Sequence, residues 1–149
     1  MTNEFLIFNK SRESILGIRK GQGVQLSHIL DTIDITKENA VKAYFIGSNT
    51  NLTSTDNIIR NVFAFHDKNI LVIDSLGIYN LKNYSEKYIL LRQSPNINLA
   101  RLIKKLNPEL IIADASNYKS HIALWQKTCE NHNIKFHYTV TDGAFIEKL

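Results

Sequence analysis

The residues able to do chemistry are few and scattered. Five histidines stand at His28, His66, His121, His132 and His137, and the single cysteine is Cys129. Metal centres draw on ligands at short spacings such as His-x-His or His-x-x-x-His, which place two ligating nitrogens on one face of a strand or helix. Neither spacing occurs. His66-Asp67 falls in a predicted hairpin turn, where both types are ordinary turn formers. Cys129 and His132 lie at i, i+3, but Cys129 belongs to an apolar helical stripe and reads as a core thiol. The residues therefore predict no metal and no cofactor. One cysteine also excludes an intrachain disulfide framework.

The densest polar stretch is Ala113-Asp114-Ala115-Ser116-Asn117-Tyr118-Lys119-Ser120-His121. It follows an apolar run and opens a helix, and in α/β sheets that strand end is where ligands bind. Asp114, Ser116, Asn117, Tyr118 and His121 are the candidate cleft residues. A hydrolase reading would use Asp114, Ser116 and His121 as acid, nucleophile and base, and would require His121 to fold back onto Ser116. The alternative needs no chemistry, because Asp, Ser and Asn are good helix caps and turn residues, which a strand-to-helix turn uses anyway. A hydrogen bond between Ser116 and His121 in a concave pocket would favour the hydrolase; Ser116 capping the helix would remove its basis.

Phosphate loops are excluded by mechanism as well as by pattern. Gly21-Gln22-Gly23 begins like a dinucleotide fingerprint, but Leu26 stands where the third glycine belongs and the segment leads into a strand, not a helix N-terminus. Nucleic-acid contact has better candidates in Arg92, Arg101, Lys104, Lys105 and Lys119, with Tyr118 nearby to stack on a base. The same cations also fit the solvated faces of two helices. Residues 1–75 balance eight Lys/Arg against eight Asp/Glu, and residues 76–149 hold ten against six, so the whole net charge of +4 lies in the second half.

The elements that must position these groups follow from periodicity. Phe5–Phe8 and Ile15–Ile18 read as strands. After the Lys20–Gly23 turn, Val24, Leu26 and His28 alternate with polar residues, giving a small antiparallel meander. A helix follows, with Thr36 as N-cap, Ile35 stapled to Ala40 and Gly47 as the C′ glycine. Residues 48–57 are polar without periodicity and read as a loop. Val62–Phe65 and Ile70–Ile73 flank a four-residue polar turn as a β-hairpin, and the second run, apolar on both faces, reads as a central strand. From Tyr88 onward strands and helices alternate: a strand over 88–91, a helix whose apolar face is Leu99, Leu102, Ile103 and Leu106, a strand over 110–113, and a helix with the stripe Tyr118, Ile122, Trp125, Cys129. A strand over 136–140 and the Asp142-Gly143 turn close the chain as a second hairpin.

At 149 residues, 44% hydrophobic and 21% charged, the chain has the size and core of one globular domain. Its apolar runs are far shorter than the roughly 20 residues of a membrane-spanning helix, and its first residues lack the basic and apolar regions of a signal peptide. It is expected to be soluble.

With residues 88–146 laid out, a family resemblance rests on several segments: Arg92-Gln93-Ser94-Pro95, the helix Asn98-Leu99-Ala100-Arg101-Leu102, Asn107-Pro108-Glu109 through Asn117-Tyr118, Phe136-His137-Tyr138-Thr139, and Asp142-Gly143-Ala144-Phe145-Ile146. Together they resemble the end of the metallo-β-lactamase-like domain at the C-terminus of ComEC-type competence proteins, the membrane channels that carry transforming DNA across the inner membrane, in the form seen in Bacteroidetes-like bacteria. Phe8-Asn9-Lys10-Ser11-Arg12 is similar to the start of that domain. The resemblance implies an α/β fold, a shortened αββα sandwich with mixed sheets flanked by helices.

Active members of the family have a His-x-His-x-Asp-His cluster, and this chain has none. Where they have a His-His-Gly-type segment, Arg92-Gln93-Ser94 stands here; Asn117-Tyr118…His121 loosely matches their Asn-x-Tyr-x-His pattern. The expectation is a metal-free, non-catalytic soluble domain belonging to a longer inner-membrane protein, on its periplasmic side. DNA and the transmembrane part of the same polypeptide are its expected partners, and no tightly bound small molecule is expected. The hydrolase, and a purely structural interaction domain, are the alternatives.

Overall fold

A computed structural model describes residues 1–65, 68–77 and 88–148. The strands are β1 (Asn3–Ile7), β2 (Ile15–Lys20), β3 (Gly23–His28), β4 (Asn51–Asp56), β5 (Val62–Phe65), β6 (Lys68–Ile73), β7 (Tyr88–Leu91), β8 (Leu110–Ala113), β9 (Lys135–Tyr138) and β10 (Phe145–Lys148). The helices are α1 (Asn39–Ser48), α2 (Leu99–Leu106), α3 (Lys119–Asn131) and the single turn α4 (Thr139–Asp142). The strands form two five-stranded sheets, ordered β10-β1-β2-β3-β4 and β5-β6-β7-β8-β9.

Each strand's alternation decides which layer its side chains enter. Phe5, Ile7, Leu16 and Phe145 of the first sheet meet Phe63, Phe65, Ile70, Val72, Leu90 and Ile112 of the second in one buried cluster. The neighbouring positions point the other way. Leu6, Phe8, Val24 and Leu26 pack under Ile35 and Val41 of the α1 layer. Leu71, Ile73, Ile89, Leu91 and Ile111 pack under α2 and α3 through Leu102, Ile103, Trp125 and Cys129. The layers therefore run helix, sheet, sheet, helix, and both sheets are mixed: β4 is parallel to β3, and β5 is antiparallel to β6 while β6 to β9 are parallel. This is the expected α/β class, compatible with a shortened αββα sandwich.

Four local expectations are corrected. Residues 51–56, read as loop, form β4. Its side chains are mostly exposed at a sheet edge, so no apolar alternation was required to place it there. Gly23 admits it: a Cβ at that position would come within 2.6 Å of Thr53 Cγ2. The first helix starts later than Thr36, because Asp34 accepts from Thr36 N and caps a short 3-10 turn (Ile35–Lys37) that precedes α1. Gly47 lies inside α1, and Asn49, with φ 54°, ends it. The closing hairpin is also absent. After β9, α4 and Gly143 (φ 82°) carry the chain across the sandwich, and β10 pairs antiparallel with β1 in the other sheet. An Asp-Gly between apolar runs serves a corner between sheets as well as a hairpin. The first hairpin forms as the β5–β6 pair, but Lys68 and Asn69, read as half of its four-residue turn, belong to β6 and pair with Phe65 and Ala64; His66 and Asp67 lie outside the described residues.

Two polar pins cross between layers. Tyr44 of α1 donates to the buried Glu4 carboxylate at 2.6 Å, and burial, with that contact second, pushes the phenol up to about 12. Lys68 joins Glu147 at 2.7 Å and Tyr88 Oη at 2.9 Å, tying the two sheets.

Candidate functional site: the strand-end cleft

The parallel register aligns Ile73, Leu91, Ala113 and Tyr138 across β6 to β9. The next residue of each strand is polar, so Asp74, Arg92, Asp114 and Thr139 form a row along the carboxyl edge of the sheet. Four buried apolar residues end each of β6, β7 and β8, and the first polar residue after them is left at the rim where the sheet ends. Three of the four are buried: Arg92 is 5% exposed, and Asp114 and Thr139 are 0% exposed, while Asp74 is half-buried.

The loop over residues 8–14, which joins β1 to β2, covers it. Arg92 Nε donates to Ser14 Oγ at 3.0 Å, and Arg12 N donates to Ala115 O at 3.2 Å. Thr139 Oγ1 donates to Asn9 Oδ1 at 3.3 Å. The Asp114 Oδ1 atom accepts from Ser116 Oγ and Ser116 N. Its Oδ2 atom is buried without a hydrogen bond of normal geometry. The Ser14 hydroxyl, already accepting from Arg92, retains its own proton to turn toward Asp114. Burial pushes the Asp114 carboxyl above the ordinary carboxylate value, while Ser116, Ser14 and the Arg92 charge pull it back less strongly. Burial likewise lowers Arg92, opposed by Asp114, Asp74 and Glu13, and a guanidinium so placed stays charged.

The segment after β8 is laced to the segment after β7. Gln93 N donates to Ser116 Oγ at 2.9 Å, and Ser94 N donates to Asn117 Oδ1 at 2.8 Å. Asn117 Nδ2 donates to Leu91 O at 2.8 Å and Asp114 O at 3.0 Å, and Tyr118 N donates to Ser94 Oγ at 2.7 Å. Gln93 and Ser94 both adopt left-handed backbone, with φ 59° and 50°, which non-glycine residues accept only when their surroundings hold them. The Ser116 and Asn117 side chains do that holding.

Above this lattice lies a cleft of about 740 Å³, lined by Arg12, Ser75, Gln93, Ser94 and residues 115–119. Of the expected cleft residues, Ser116, Asn117 and Tyr118 line it, Asp114 lies beneath it, and His121 is turned onto α3. The His121 ring packs between Tyr118 and Trp125, with centroid separations of 5.9 and 5.5 Å, and its Nδ1 is buried without a partner. No hydrogen bond joins Ser116 to His121. Ser116 does not cap α3 either; Tyr118 stands at the N-cap without a side-chain cap bond. Tyr118 is 72% exposed, which removes it from the buried stripe of α3. Arg92 is likewise corrected: it directs its guanidinium at Ser14 in the interior and leaves Arg101, Lys104, Lys105 and Lys119 as the exposed cations of the expected set. Ser14, Asp74, Thr139 and Arg12 were missed. For Asp74 a signal existed, since like Arg92 and Asp114 it directly follows an apolar run.

Among the described residues no three His, Cys, Asp or Glu side chains come together to hold a metal ion. The two carboxylates of the strand-end row are separated by a buried cation.

The titration of Asp114 gives a pH prediction. A carboxyl raised in the fold stabilises it fully below the ordinary value of 3.8, and that contribution is lost as pH rises toward the folded value. Asp114→Asn keeps the Oδ1 acceptor and cannot ionise. The melting temperature of the variant relative to the parent is therefore expected to rise between pH 4 and pH 7, measured by thermal denaturation. A difference independent of pH would contradict the placement of this charge.

Four helix-and-sheet layers with a laced cleft at the strand ends define a mixed αββα sandwich domain. The model of the ComEC C-terminal domain matches residues 5–149, and the chain belongs to that family. It is thus a domain of the competence DNA-uptake type, from a family of membrane proteins, and no helix among the described residues is long and apolar enough to cross a membrane. Comparison with curated proteins and comparison with solved structures each return no match.

Proposed function

We propose that this domain is a degenerate, metallo-β-lactamase-like member of the ComEC C-terminal family that serves DNA uptake without catalysis and without metal. The observation that carries the reading is the buried Arg92 between Asp74 and Asp114. In the resembled hydrolases this segment supplies a metal ligand. Here a fixed positive charge occupies the strand end, and a divalent cation beside it would meet direct repulsion. Ser116, the would-be nucleophile, donates its proton to Asp114, accepts from Gln93 N and makes no hydrogen bond to His121, so the histidine base that the hydrolase reading requires is not on it.

The domain then acts by contact. It sits on the periplasmic side of the inner membrane beside the transmembrane part of the same polypeptide, and it touches incoming DNA through Arg101, Lys104 and Lys105 of α2 and Lys119 of α3. Phosphate contacts of this kind release counterions, so affinity falls steeply with salt. DNA binding measured from 50 to 200 mM salt is expected to fall with a log–log slope of about −2 to −4 for two to four phosphate contacts, and Lys104→Gln with Arg101→Gln is expected to flatten it. Absence of binding at 50 mM salt, or a flat salt response, would remove the DNA contact and leave a protein-interaction domain.

A further inference from the structure

The strand-end cleft has a chemical character of its own, apart from the α2 cations. At about 740 Å³ it falls within the volume range of small-molecule sites. Its walls combine three kinds of group. Arg12 and Lys119, both exposed, put cations at the rim. Tyr118 puts an aromatic ring there, 72% exposed. Ser75, Gln93 and Ser94 supply neutral hydrogen-bonding groups between them. Arg12 is 107 residues from Lys119 in sequence and reaches the cleft because its backbone is held, with φ 64° and its N–H on Ala115 O at 3.2 Å. Gln93, Ser94, Ser116 and Asn117 are fixed by the lattice beneath, so the wall is preorganised and loses little freedom on binding. The set is complementary to an anionic group joined to a flat ring.

We infer that this cleft binds a nucleoside phosphate, with the phosphate between Arg12 and Lys119 and the base stacked on Tyr118. The inference rests on the reading of the domain as a DNA-contacting one and assigns a second, separate site within it. The same chemistry is offered by a free mononucleotide and by the 5′-phosphorylated end of a DNA strand. A base and a phosphate engaged together distinguish this site from the α2 face, which offers charge without an exposed ring.

The test titrates the protein with deoxyadenosine 5′-phosphate, deoxyadenosine and inorganic phosphate, following backbone amide shifts by NMR. The nucleotide is expected to shift Ser94, Ser116 and Lys119, and to bind about tenfold or more tighter than either fragment. Tyr118→Ala is expected to weaken it about tenfold, the loss of one base–aromatic stack, and Tyr118→Phe to retain it. Arg12→Gln is expected to weaken it by a similar factor. Lys104→Gln with Arg101→Gln is expected to leave it unchanged, so this site survives even where long DNA no longer binds. An oligonucleotide with a 5′-phosphate that displaces the nucleotide better than its 5′-hydroxyl twin identifies a strand end as the ligand; equal failure of both, with the nucleotide still bound, identifies the free form. Inorganic phosphate binding as tightly as the nucleotide, an unchanged affinity in Tyr118→Ala, or shifts confined to α2 would overturn the inference.

Discussion

Asn117→Ala is expected to cost about 3–5 kcal/mol of folding stability, measured by denaturant unfolding. The side chain is 7% exposed and satisfies three backbone groups: Leu91 O and Asp114 O accept from its Nδ2, and Ser94 N donates to its Oδ1. Alanine removes this partner from Leu91 O and Ser94 N and leaves Asp114 O only the longer bond from the residue 117 backbone N–H at 3.4 Å, and each buried unpaired group costs about 1–3 kcal/mol. The left-handed backbone of Ser94 also loses its restraint. Asn98→Ala is the matched control. Asn98 is exposed and caps α2 by accepting from Arg101 N at 3.1 Å, a contact worth about 1 kcal/mol. Equal costs for the two substitutions would mean that the lattice contributes no more than an exposed cap.

Arg92→Met is expected to cost a similar 3–5 kcal/mol at neutral pH, by removing one member of a buried charge group. Methionine fills comparable volume, so the loss is electrostatic more than steric. Without the guanidinium, Asp114 keeps its burial and loses the one cation that opposes it. Its carboxyl then rises further, and stability falls more steeply from acid to neutral pH than in the parent. Arg92→Met combined with Asp114→Asn is expected to recover part of the loss, with a coupling of about 0.5–3 kcal/mol between the two sites. Strictly additive effects would show that the two groups do not sense one another.

The sequence and the structure agree where burial dictates the pattern. Ile70–Ile73, Tyr88–Leu91 and Leu110–Ala113 are apolar on both faces because each is covered by the other sheet on one side and by α2 and α3 on the other. The α2 stripe was legible for the same reason. Periodicity failed where burial does not decide. The β4 strand is a polar edge, α4 with Gly143 turns a corner between sheets, and Asp34 moved the cap upstream of Thr36. At the site, sequence pointed to the Asp114–His121 segment but not to its bonding: Ser116 does not cap α3 but restrains Gln93, 23 residues away in the chain. Arg92 looked like a surface cation because arginine usually is one. Its burial depends on Ser14, 78 residues distant, which no local pattern reveals.

The reading of a degenerate strand end stands most directly on its metal content. Elemental analysis of the full chain, after incubation with zinc and with manganese and removal of free ion, is the decisive measurement. The buried Arg92 between Asp74 and Asp114 predicts no stoichiometric metal from either incubation. One or two tightly held ions per chain would contradict the account and return the cleft to the hydrolases it resembles.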